Sequence, residues 1–161
     1  EWQTFIADDA AAARAAAEQL DGGHVAEGIQ TAIRMLQDSR PGNKGTAAAA
    51  LLLQVQRDAA SRRAVLSQGT VPLLVEMLEG EPDAADAGTA LQVLSALAEE
   101  PSNRYMLGSN KELLRMLGQK LTVKDSEEQV NAEFAGKTLA ALTSTWGVRD
   151  RVREAGLLQV L

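Results

Sequence analysis

The residues able to do chemistry in this chain are few, and their spacing limits what they can be. His24, the one histidine, follows Gly22-Gly23 with no Ser, Cys or carboxylate at a motif spacing. A triad needs nucleophile, base and orienting group brought together, so a lone histidine reads as a solvent-facing residue at a helix start. The acidic run Glu79, Glu81, Asp83, Asp86 invites a calcium reading. It lacks the alternating oxygen ligands, central glycine and closing glutamate of a calcium loop, and reads instead as a solvated turn. Glu99-Glu100 and Glu127-Glu128 are adjacent pairs, which do not share a helix face. The second pair begins a helical pattern, where the helix dipole favours it; the first pair ends one, where it does not. That mismatch hints at a basic partner, against the simpler role of solubility. Gly42, Gly45 and Gly88 form no dinucleotide or P-loop pattern. With no cysteine, disulfides and thiolate metal sites are excluded. We therefore expect no catalysis, no metal and no cofactor.

Basic residues recur in Ser61-Arg62-Arg63, Ser102-Asn103-Arg104 and Val148-Arg149-Asp150-Arg151. A regular ladder of arginines could hold phosphates. The same arginines could instead cap the carbonyls left open where one helix ends and the next begins. Only Tyr105 and Trp146 lie near them for base stacking, and the net charge is −6. We expect helix capping and no nucleic-acid partner. Trp2 and Phe5, with Ile6, form the densest aromatic cluster. They read as a docking anchor or as an apolar plug over the first helices.

The elements that position these residues follow a 3.6-residue period. Ala87 to Glu100 (AGTALQVLSALAEE) places Leu91, Leu94, Leu97 and Ala98 at helical spacing. KGTAAAALLLQVQRD upstream and AEFAGKTLAALTS downstream repeat the pattern, with Leu52 and Leu139 matching Leu94, and Val55 and Leu142 matching Leu97. Each copy leads through a basic helix start into a second apolar helix: VPLLVEML, ELLRML and GLLQVL. Gly69, Asn110 and Gly156 recur at intervals of 41 and 46 residues, the size of a helical solenoid unit. Hydrophobic residues make up 45% but aromatics 3%, so the core must be built from Ala, Leu, Val and Met. Four prolines and 13 glycines are expected between the helical segments, as punctuation. Helices are predicted over about 46–59, 61–67, 71–78, 103–107 and 112–121. A Ser126 to Gln129 capping box opens another that runs to about Thr143. No run is long enough to span a membrane, and no start resembles a signal peptide.

The order of basic start, short helix, glycine, apolar helix, loop and ALxxLxxLA-like helix resembles the armadillo repeats. SRRAVLSQG, SNRYMLGSN and VRDRVREAG carry the resemblance, which covers about Val25 to Leu161. It implies an all-α, right-handed superhelix of three-helix units in which third helices line a concave groove. The expected division is N-terminal cap helices over 1–23, a partial first repeat over 24–60, repeats over 61–100 and 101–146, and a partial fourth over 147–161. The chain starts at Glu1 and Leu161 falls inside an apolar helix, so we expect a piece of a longer protein.

By the same resemblance the groove presents Ala50 and Gln54, Gln92 and Ala96, and Lys137 and Ala141 on exposed ridges. The import-adaptor branch of the family carries a Trp and Asn ladder at these slots to clamp basic peptides. This sequence carries neither there. The expected function is a non-enzymatic scaffold or assembly subunit that takes an extended peptide or a helix from a protein partner along this face. An armadillo-type chaperone or co-chaperone, or the regulatory part of a protein with a catalytic domain elsewhere, would read alike. The default location is intracellular, in the cytoplasm.

Overall fold

The computed structural model describes residues 25–38, 40, 42–80, 82–122 and 128–157. Every regular element among them is helical, as the periodicity required. The chain runs through α1 (Val25–Gln37), α2 (Asn43–Val55), α3 (Ala59–Ser67), α4 (Thr70–Glu79) and α5 (Ala84–Glu99). A 3-10 turn (Pro101–Asn103) leads into α6 (Arg104–Ser109), α7 (Lys111–Leu121), α8 (Gln129–Thr143) and α9 (Trp146–Glu154). None of the described helices is long and apolar enough to cross a membrane. The segment assigned to the cap (1–23), His24, Ser126-Glu127 of the capping box and residues beyond Leu157 lie outside the described residues.

Local chemistry sets the helix ends. Asp58 accepts from the Ser61 amide at 2.7 Å and starts α3, which is why α2 stops at Val55 and not near Ala59. Asp83 accepts from the Asp86 amide at 2.8 Å at the head of α5, and Asn110 accepts from the Leu113 amide at 3.0 Å at the head of α7. Pro101 holds Glu100 in extended backbone (ψ 114°) and ends α5. The slot shared by Gly69, Asn110 and Gly156 is real but is met in two ways. The glycines adopt φ +75° and +73°, whereas Asn110 stays at φ −85° and caps through its side chain.

The packing joins like with like. α5 lies against both α2 and α8, α4 against both α1 and α7, and α9 against α6 and α8. Leu91, Leu94 and Leu97 of α5 are fully buried, together with Leu51, Leu74, Leu113, Leu117, Leu139 and Leu142. At such sites each side chain contributes about 1.5–3 kcal/mol by leaving water. One expectation about glycine is corrected here: Gly45, Gly88, Gly108 and Gly118 lie inside helices and not between them. Each sits tightly against a side chain from another part of the chain. A Cβ at Gly45 would overlap the Asp86 carboxylate, one at Gly108 the Val148 side chain, and one at Gly118 Leu157 Cδ2. A Cβ at Gly88 would stand 2.8 Å from Asn131 Oδ1. Glycine inside a helix costs about 0.5–1 kcal/mol against alanine, a penalty offset here by closer helix contact.

Candidate functional site

The face assigned to partner binding is carried by α2, α5 and α8. Its residues were expected to stand exposed, and the structure divides them. Ala50, Gln54 and Ala96 are buried, Gln92 and Ala141 are half-buried, and Lys137 is exposed. The physical reason is side-chain size. Small residues on α2 and α5 let each long helix settle among its neighbours, so positions that would form a ridge on isolated helices are closed over. Lys137 is already engaged, with its Nζ 2.6 Å from Glu133 and 5.2 Å from the centroid of the Phe134 ring. Among the described residues Gln54 is the exception to good polar satisfaction: it is 2% exposed, and its Oε1 has no hydrogen-bond partner. Trp2 and Phe5, the alternative docking residues, lie outside the described residues.

The arginines do what the capping reading expected. Arg62 Nε donates to the Val55 carbonyl at 2.9 Å, and Arg104 Nε to the Ala98 carbonyl at 2.8 Å. Arg149 Nε donates to the Thr143 carbonyl at 3.3 Å. In each case the first residues of a short helix reach back to the last turn of the long helix before it. There the open carbonyls and the negative end of the dipole favour a cation. Arg104 also donates to Glu99 O at 3.2 Å and Ser144 Oγ at 2.8 Å, tying α5 and the end of α8 to one side chain. Asn103 is buried at the same junction and donates to the carbonyls of Leu97 (3.1 Å) and Arg62 (3.4 Å).

The acidic pair at the end of α5 finds its cations within the chain. Glu99 lies 3.0 Å from Arg62 and Glu100 3.4 Å from Arg63. A hydrogen bond from Ser102, with the charge of Arg63, holds the Glu100 carboxyl below its ordinary value. The hint of a basic partner drawn from these two residues is thereby answered by neighbouring arginines. Of the acidic run at 79–86, Glu79 pairs with Arg115 of α7, and Asp83 serves as the cap of α5. Among the described residues no group of three or more His, Cys, Asp or Glu could hold a metal ion.

Two features went unread in the sequence. One is a cleft of about 900 Å³ between α6, α7 and α9, lined by Gly108, Ser109, Leu114, Gly118, Arg151 and Leu157 among others. Its glycines are scattered in sequence, so no motif announces it. The other is the exposure of Tyr105, Met106 and Trp146 on the neighbouring helices α6 and α9. Tyr105 and Trp146 were visible as isolated aromatics, but nothing in their spacing showed that they would face solvent. No protein-family model matches the chain, and neither a curated protein nor a solved structure does.

Proposed function

We propose that the chain is a non-enzymatic, armadillo-like interaction module, its three-helix units stacked in a right-handed superhelix. On this reading it takes an extended or helical segment of a protein partner along α5 and α8. The observation that supports it most is the packing order: long helix on long helix (α2, α5, α8) and second helix on second helix (α1, α4, α7), at the spacing seen in the sequence. Such rows leave one continuous face of long helices on which a partner segment can lie. With Ala50, Gln54 and Ala96 buried, recognition falls to Gln92, Lys137 and Ala141, with half-buried Phe134 beside them. Gln92 supplies an amide for backbone groups, and the Phe134–Lys137 pair supplies a flat apolar surface with a cation above it.

The test begins with affinity purification of the protein and identification of what it retains. Gln92→Arg and Lys137→Glu are then compared with the wild type for binding of that partner and for melting temperature. The expected result is weakened binding with little change in Tm. A partner held equally well by both variants would remove this face from consideration.

A further inference from the structure

Three of the five large apolar side chains exposed among the described residues belong to one pair of neighbouring helices. They are Tyr105 (56% exposed), Met106 (62%) and Trp146 (83%), on α6 and at the start of α9. The two helices meet there. A Cβ on Gly147 would stand 3.9 Å from Tyr105 Cε2, so the first turn of α9 lies beside the Tyr105 ring. Arg151 bridges them, its guanidinium 4.8 Å from the ring centroid and its Nη2 donating to Tyr105 Oη at 3.1 Å.

The arginines differ in how their charge is balanced. Arg62, Arg63, Arg115 and Arg153 each face a carboxylate. Arg104, Arg149 and Arg151 do not. They donate only to carbonyl, hydroxyl and phenol oxygens, and no carboxylate of the described residues lies within ion-pair distance of them. In a chain of net charge −6, α6 and α9 thus combine exposed Tyr105, Met106 and Trp146 with three arginines that have no carboxylate partner among the described residues, a condition shared by Arg34 of α1.

We propose that this helix pair docks an acidic protein segment that carries an apolar anchor side chain. The anchor would cover the exposed Trp146 ring, removing its surface from water. Its flanking carboxylates would supply the counter-charges that Arg104, Arg149 and Arg151 lack. A nucleic acid fits less well. The overall charge repels a polyanion, Met106 offers no stacking face, and Arg104 and Arg151 already use several donors within the protein. The inference is independent of the long-helix face, since it uses none of that face's residues.

Panning a phage-displayed random 12-mer peptide library against the protein tests it, with a labelled single-stranded oligonucleotide of similar length as a second probe. The selected peptides should be rich in Asp and Glu around one aromatic or long aliphatic residue. By fluorescence anisotropy they should bind about tenfold more weakly to Arg149→Glu and to Trp146→Ala. Gln92→Arg should bind them as the wild type does, and added salt should weaken binding. Trp146 is almost fully exposed, so its replacement keeps the test valid if a charge reversal disturbs folding. Selected peptides without acidic character, or peptides sensitive to Gln92→Arg and not to Trp146→Ala, would overturn the proposal. So would oligonucleotide binding in place of peptide binding.

Discussion

The long helices α2, α5 and α8 and the short helices α3, α6 and α9 alternate along one chain with one period, yet they differ in what they leave in water, Leu53 and Val130 being exposed on the long row. On the long helices even Ala50, Gln54 and Ala96 are covered, while on α6 and α9 Tyr105, Met106 and Trp146 stand in water. The difference follows from the number of neighbours. α5 is held by α2, α8 and the second helix of its own unit, so alanine and glycine are favoured for the close approach they allow. α6 and α9 bury only a narrow stripe, Leu107, Gly108, Val148 and Val152, and leave the rest of their surface free. A repeating sequence therefore does not make equivalent faces. The row with most neighbours becomes the core, and the row with fewest keeps more of its side chains in water.

The largest expected effect sharpens that contrast on the core side. Leu94→Ala should destabilise the protein by about 2–5 kcal/mol in chemical denaturation, as cavity-forming truncations do. A loss as small as that of a surface substitution would mean that α5 is not held from both sides. Gly108→Ala tests the short-helix row where it does make close contact. Its new methyl meets Val148, so a cost of about 1–3 kcal/mol is expected, with partial recovery in the Gly108→Ala/Val148→Ala double variant.

Gln54 gives an effect of opposite sign. Gln54→Met keeps the volume and removes a buried oxygen without a partner, so stability should rise by about 1 kcal/mol. An unchanged or lower Tm would show that the amide is satisfied in solution. By the same burial, Gln54→Arg should destabilise the fold, not act as a silent probe of the binding face as its exposed placement had implied. Trp146→Ala should change stability by less than about 0.5 kcal/mol, because its side chain is exposed.

The smallest effect concerns pH. The Ser61 amide and hydroxyl hold the Asp58 carboxyl below its ordinary value of 3.8. A carboxylate with a depressed folded value contributes stability above its unfolded value and loses it as pH falls through the folded one. The Tm gap between the wild type and Asp58→Ala should therefore be full near neutrality and narrow below about pH 3.8. A gap that does not change with pH would mean that the charge plays no part in the cap.

The sequence by itself determined the helices, their register and the duty of the arginines. Those features are local or periodic: apolar spacing selects the helix, Asp58, Asp83 and Asn110 carry their capping chemistry with them, and Arg62, Arg104 and Arg149 act on carbonyls only a few residues away. Only the tertiary structure decided which faces the helices keep. Whether Gln54 is covered, or Tyr105, Met106 and Trp146 are left open, depends on how closely distant helices approach. That approach is set at Gly45, Gly88, Gly108 and Gly118 by partners about 40 residues away in sequence, a distance no local pattern spans.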